Sequence, residues 1–298
     1  MLASLTSSFP CPAAEEVRPP LAGEGHGGGL EATLCTDGGG PVLSEREELT
    51  AFALELADAA DRISMRYFRR GPRVDRKPDR TFVTQADTAI ELELRERIER
   101  KYPAHGVLAE EYGDRTSNQE TRWIIDPIDA THSYLRGVPA FATLIALERA
   151  GVLEVGVMSA PAMHERWHAV RGGGAWAGKR RLHVSKISQL EDAQVFYASR
   201  TAFAAAGKER GFDAVVSAAW RDRGFGDFWG YALVTEGAGE AMFEPELYSW
   251  DLAAPLILVE EAGGRLTDFK GNRTYAGGNA VASNGLLHEV ILEKLNGA

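Results

Sequence analysis

Leu49, Phe52, Ala53, Leu56, Ala60, Ile63 and Tyr67 recur at intervals of three and four, the period of a helix with one buried face. Gly71-Pro72 ends that pattern, because proline has no N–H to continue the ladder. Ala86, Ile90, Leu94 and Ile98 predict a second helix that stops before Pro103. Residues 123–125 form a short apolar run with the length and bulk of a buried strand. Residues 141–148 and 152–158 flank Ala150-Gly151 and predict a hairpin, which 167–170 and 174–176 would continue. Residues 195–198 read as another short strand, and 252–262 as a helix closed by Gly263-Gly264. Helices and strands alternate without a βαβ repeat, so a layered α/β arrangement with antiparallel sheets is expected.

The pattern vanishes before residue 44. Residues 1–43 carry Pro10, Pro12, Pro19 and Pro20, then Gly25, Gly27, Gly28, Gly29 and Gly38-Gly39-Gly40, with no apolar period. We expect a disordered N-terminal tail at 1–43 and a single folded domain at 44–298. A signal peptide over 1–14 is the rival explanation, but it lacks a basic start and Ser7-Ser8 break its apolar stretch. A start codon assigned too far upstream would leave the same trace. Both cysteines, Cys11 and Cys35, fall in the tail, which fits a reducing cytoplasm. The formal charge of −10 argues against a nucleic-acid partner, whose phosphates demand a basic face. No apolar run is long enough to span a membrane.

Trp123-Ile124-Ile125-Asp126-Pro127-Ile128-Asp129-Ala130-Thr131 concentrates the chemistry. An apolar strand delivers Asp126 and Asp129 at its end, with a proline and a short turn between them to stop it. Two such carboxylates repel or share a proton unless a cation sits between them, and all-oxygen ligands suit a hard ion such as Mg²⁺ or Mn²⁺. Two solvated aspartates in a turn would read the same way. Three further segments share this character: Leu108-Ala109-Glu110-Glu111-Tyr112-Gly113, Ser249-Trp250-Asp251-Leu252-Ala253-Ala254, and Thr81-Phe82-Val83-Thr84-Gln85-Ala86-Asp87 after Lys77. Singly, Asp251 also fits a helix N-cap, the glutamates a solvated loop, and Lys77 and Asp87 surface charges.

In order and spacing, these segments resemble the inositol monophosphatase family of Mg²⁺-dependent, Li⁺-sensitive phosphomonoesterases. Its Asp-Pro-Ile/Leu-Asp-Gly-Thr stands here as Asp126-Pro127-Ile128-Asp129-Ala130-Thr131. Its Gly-Glu-Glu stands as Ala109-Glu110-Glu111, and its Trp-Asp and Glu-Ala-Gly-Gly as Trp250-Asp251 and Glu261-Ala262-Gly263-Gly264. Arg223-Gly224-Phe225-Gly226-Asp227-Phe228-Trp229, Arg136-Gly137-Val138-Pro139 and Glu244-Pro245-Glu246-Leu247 look most like its histidinol-phosphatase branch. The resemblance runs from Leu49 to the C-terminus.

The resemblance implies a stacked α-β-α-β-α sandwich with antiparallel and mixed sheets, a homodimer, and two or three Mg²⁺ ions, Mn²⁺ substituting. Glu110, Asp126 and the Ile128 carbonyl would hold the first ion; Asp126, Asp129 and Asp251 the second. Glu110 and Thr131 would orient the attacking water, with Asp87 behind Thr131 or the metal's water. The N–H groups of Ala130 and Thr131 would bind phosphate, and Lys77 would add positive charge. Asp129, Asp227 and Glu244 would face the alcohol half of the substrate, a small phosphorylated metabolite. Metal ions also resolve the acidic balance, because they reverse the local sign for an anionic substrate.

Ala109 and Ala130 replace family glycines, and His132 stands where lysine or arginine often follows the threonine. Alanine at a position with φ > 0 is strained by about 1–2 kcal/mol. His132, His164, His168 and His183 have no zinc-ligand spacing and read as ordinary. Histidinol phosphate is the first candidate substrate. An inositol, sugar or nucleoside phosphate in a specialised, antibiotic-type pathway is the second. A catalytically impaired binding or regulatory relative is the third, which the complete acid set opposes.

Overall fold

The computed structural model describes residues 44–76, 82–115 and 120–297. The expected tail with its two cysteines, and Lys77, lie outside the described residues.

Ser44 is a reciprocal cap: its N–H donates to Glu47 Oε2 at 2.8 Å and its hydroxyl accepts from the Glu47 N–H at 3.3 Å. That cap opens α1 (Glu45–Tyr67). The hairpin β1 (Val74–Arg76) and β2 (Phe82–Thr84) leads into α2 (Gln85–Lys101), capped by Thr84. Then come β3 (Gly106–Ala109), β4 (Gly113–Arg115), β5 (Thr121–Asp129), α3 (Thr131–Leu135), β6 (Ala142–Arg149) and β7 (Val152–Ala160). Three strands follow: β8 (Glu165–Val170), β9 (Gly174–Ala177) and β10 (Arg180–Arg181). The second half holds β11 (Gln194–Phe196), α4 (Arg200–Ala205), α5 (Glu209–Val216), β12 (Arg221–Arg223), α6 (Asp227–Thr235) and β13 (Ala241–Glu244). It ends with α7 (Ser249–Glu261), β14 (Arg265–Thr267), β15 (Ala280–Ser283) and α8 (His288–Gly297).

An eight-stranded sheet runs in the order β10-β9-β8-β7-β6-β5-β3-β4, and a five-stranded sheet in the order β12-β11-β13-β15-β14. Side chains alternate across the pleat, so each strand feeds two cores. Trp123 and Ile125 of β5 point into the core under α1 and α2, whereas Ile124 faces the core shared with α6 and α7. In the second sheet Met242 joins that same central core, while Ala241 and Phe243 turn to the one formed with α4, α5 and α8. Five layers result, α-β-α-β-α, as the resemblance implied. The two large sheets are mixed, mostly antiparallel: β3 pairs parallel with β5, and β11 with both β12 and β13.

The hairpin turn carries positive φ at Ala150 (50°) and Gly151 (78°), the geometry that matches strand twist. Leu252, Ala253, Ala254, Leu256, Ile257, Leu258 and Val259 of α7 are all buried, since the helix lies between both sheets. It approaches β7 closely at Gly156, where a Cβ would stand 2.4 Å from Ile257 Cγ2 and 3.1 Å from the Ala254 carbonyl. Alanine there would push the helix off the sheet.

Candidate active site

The apolar run 123–125 continues further than expected. Pro127 does not end the strand; β5 passes through it to Asp129. Asp126 pairs with Leu144 and Asp129 with Ala142, so three steps on β5 oppose two on β6. The extra residue is a bulge, which accommodates a proline that cannot donate to the ladder. Thr143 Oγ1 fills part of the gap by donating to the Pro127 carbonyl at 2.8 Å. The bulge turns both aspartates to one side of the strand end.

The chain then reverses through Ala130, whose φ of 65° and ψ of 45° are left-handed. Thr131 opens α3 and donates through Oγ1 to the Ile128 carbonyl at 3.0 Å. Tyr134 anchors this short helix, its hydroxyl donating to the Ser64 carbonyl of α1 at 2.8 Å.

Asp251 arrives from α7. It is not the N-cap; Tyr248 holds that position, and its N–H donates to Asp251 Oδ2 at 2.7 Å. One carboxylate oxygen each from Asp126, Asp129 and Asp251 lie within 4.8 Å of one another. Asp129 also accepts the N–H of Phe228 at 2.7 Å, tying β5 to α6. Asp126 is 2% exposed, and its Oδ1 is buried without a hydrogen-bond partner.

Burial first, and then the charges of Glu110, Asp129, Asp251 and Asp87, hold Asp126 well above the usual carboxylate range. Asp129 is raised in the same way by burial and by Asp227 and Asp251. Asp251 is pushed up to about 7, mainly by burial, against the opposing hydrogen bond from Tyr248. Among the described residues, no lysine or arginine lies among these causes. The donor set is all oxygen, densely acidic and incompletely hydrogen-bonded, which fits a hard divalent cation.

Glu110 follows β3 and is close enough to Asp126 to be the strongest charge acting on it. Asp87, fully buried at the third position of α2, accepts from Thr84 N at 2.8 Å and Thr84 Oγ1 at 2.5 Å. Its other oxygen has no partner, and burial pushes the carboxyl up to about 6. Glu91 went unrecognised in the sequence. One turn beyond Asp87 on the same buried face, it accepts the N–H groups of Glu111 at 2.7 Å and Tyr112 at 3.0 Å. Arg95 Nε donates to Glu91 at 2.8 Å. This pair shapes the turn that presents Glu110. An acid in an apolar stripe at helical spacing is the signal for such a residue.

A cavity of about 710 Å³ opens beside the aspartates, lined by Asp129, Asp251, Asp227, Glu244, Tyr231 and Tyr248, with His132 at its edge. Asp227 begins α6 with φ of 55°, after Gly226, where a Cβ would stand 2.4 Å from that of Ala198. Burial raises the Asp227 carboxyl. Glu244 ends β13, 4% exposed, with Oε2 lacking a hydrogen-bond partner. Burial and the neighbouring Asp227 charge push it up to about 8. The structure therefore gathers Asp129, Asp227, Glu244 and Asp251, from four elements distant in sequence, around one cavity, with Asp126 beside Asp129 and Asp251. His132 belongs to this wall as well, whereas Ala109 lies buried inside β3 at ordinary strand geometry.

Comparison with known proteins agrees with this architecture. Residues 45–298 match the model of the inositol monophosphatase family. A histidinol-phosphatase of Mycobacterium tuberculosis is 47% identical over 82% of this chain and 96% of its own length. Another from Streptomyces coelicolor is 45% identical over 81% of this chain and 94% of its own. Among solved structures, the extragenic suppressor protein suhB from Bartonella henselae superposes with a TM-score of 0.78 at 29% identity, covering 84% of this chain and 98% of that one. The family is metal-dependent, generally on Mg²⁺, and the acidic cluster stands where such ions are needed. The chain belongs to the inositol monophosphatase family and is a Mg²⁺-dependent phosphoric monoester hydrolase.

Proposed function

We propose that this hydrolase acts on L-histidinol phosphate. The observation that carries the reading is the pairing of two acids, half-buried Asp227 and buried Glu244, in the same cavity as Asp129 and Asp251. A phosphate ester needs cations, and its alcohol half then meets two carboxylates that suit an ammonium group. The names of the relatives at 47% and 45% identity support this choice over a polyol.

Glu110, Asp126, Asp129, Asp251 and the Ile128 carbonyl would hold two or three Mg²⁺ ions, with Mn²⁺ able to replace them. Bound there, the ions neutralise phosphoryl oxygens and favour ionisation of a water. The N–H groups of Ala130 and Thr131 bind the phosphate. Thr131 Oγ1 and Glu110 orient the water for in-line attack. The unpartnered oxygen of Asp87 supports its place behind them, as an acceptor for Thr131 or for that water. Asp129, Asp227 and Glu244 grip the amine, whose charge draws Glu244 back to its ionised form. Lys77 would add positive charge near the site. Family membership supports a homodimer acting in the cytoplasm; among the described residues no helix is long and apolar enough to cross a membrane.

The test is phosphate release from histidinol phosphate, inositol 1-phosphate and a nucleoside monophosphate. Histidinol phosphate is expected to give the highest kcat/KM, and EDTA to abolish activity until Mg²⁺ or Mn²⁺ is restored. Asp126→Asn keeps the side chain's shape and should lower kcat by at least about 100-fold with the melting temperature near wild type. Preference for the inositol ester would overturn the substrate; full turnover in EDTA, or by Asp126→Asn, would overturn the metal assignment.

A further inference from the structure

Tyr248 stands out in the cavity wall. It is 56% exposed, an unusual setting for so large a ring, and it lines the same cavity as Asp227 and Glu244. Its ring stacks on Trp250 with centroids 5.0 Å apart and planes 13° from parallel. Trp250 in turn packs against the central core. The backbone on either side is pinned: the Leu247 N–H donates to the Gly278 carbonyl at 3.0 Å and the Tyr248 N–H to Asp251 at 2.7 Å. The ring is therefore held on a fixed segment and braced from behind. The cavity side chains contributed by 198–202 are small, namely Ala198, Ser199 and Ala202. They add little bulk to the cavity wall.

We propose that Tyr248, backed by Trp250, is the stacking wall for a planar ring in the alcohol half of the substrate. The proposal rests on the assignment of Asp227 and Glu244 to the substrate's amine, and it adds the recognition of the ring. A cavity with acids for an ammonium and an aromatic wall for a ring selects amino alcohols that carry a flat heterocycle. It discriminates against polyols, which have hydroxyls but no π-face. Tyr248 acts through its side chain, since the N–H that orients Asp251 remains in any variant except proline.

Steady-state kinetics of wild type, Tyr248→Phe and Tyr248→Ala on histidinol phosphate, phenyl phosphate and glycerol 2-phosphate test the wall. Tyr248→Ala should raise KM for both ring-bearing esters by roughly tenfold, as lost stacking and area burial imply, with kcat within about twofold. The selectivity of ring-bearing over glycerol ester should fall by a similar factor, and Tyr248→Phe should restore it. An equal loss on all three esters, or none, overturns the proposal, because a role exerted through Asp251 would not distinguish them. If wild type ignores histidinol phosphate, that substrate is wrong, and the phenyl-to-glycerol ratio still decides the wall: a drop in Tyr248→Ala sustains it and an unchanged ratio overturns it.

Discussion

Ala130 keeps a left-handed backbone that glycine adopts freely, at a cost of about 1–2 kcal/mol. Ala109, the other glycine replacement, sits in a strand and carries no such penalty. The two substitutions look alike in sequence and differ entirely in consequence. Ala130→Gly should relax the turn but give back about 0.4–1 kcal/mol of unfolded-state entropy, leaving a small net stabilisation. Differential scanning calorimetry should show a melting temperature equal to or a few degrees above wild type. A clear drop would mean that the methyl group contributes packing that outweighs the strain. Asp126, Asp129 and Asp251 were legible because their charge has to be accommodated wherever the backbone places it. Glu91 and Tyr248 were not, because a glutamate or tyrosine gains its role only from what the fold sets beside it.

The elements that were legible have one face clearly different from the other. The spacing in α1 and α2 specifies one buried stripe each, and the Ala150-Gly151 turn specifies the β6–β7 hairpin. The strand through Asp126 was cut short because Pro127 reads as a stop, and a bulge has no local signature. α6 went unseen because it is covered from both sides and has little periodicity to detect. β13, β14 and β15 are three or four residues long, too short to separate from any apolar run. His288 ties α8 to two of these hidden elements. Fully buried at the start of α8, it bridges Thr267 Oγ1 of β14 and Ser283 Oγ of β15, each at 2.8 Å. Burial lowers its pKa to about 4, with Arg265 adding to the effect. Between about 4 and the ordinary 6.5 the unfolded chain binds more protons than the folded one, so this contribution is present above 6.5 and is lost as pH falls toward 4. Chemical denaturation at pH 7, 5.5 and 4.5 should show the stability of wild type relative to His288→Leu shrinking as pH falls. Parallel slopes would show that the imidazole titrates normally.

At the scale of the whole molecule, acids from both halves meet at one place, within a chain of formal charge −10. Glu244, Asp251 and Asp87 are raised to about 8, 7 and 6, so without metal the folded state holds protons that the unfolded state releases. Stability of the metal-free protein should therefore fall as pH rises from about 4 to about 8. Mg²⁺ should raise the melting temperature more at pH 8 than at pH 6, since a cation then replaces the missing protons. A Mg²⁺ effect that shrinks with rising pH would contradict an acidic ion site. We also propose that residues 44–298 fold without the segment before them. Deleting 2–40 should leave melting temperature and activity nearly unchanged, and a drop of several degrees would show that this segment packs on the domain. The sandwich as a whole was legible only through its motifs, because neither periodicity nor composition says how two sheets and three helical layers stack.

The missing side chain at Gly156 reaches beyond packing. α7 rests in that notch near its middle and presents Asp251 from its first turn, so the helix behaves as a lever pivoting on β7. A methyl group at Gly156 touches no substrate, no ion and no acid, yet it would tilt the arm that carries one of them. Activity can thus be tuned, or lost, from inside the hydrophobic interior. A survey of variants that looks only at the cavity lining would overlook a position that bears on the aspartate through the helix.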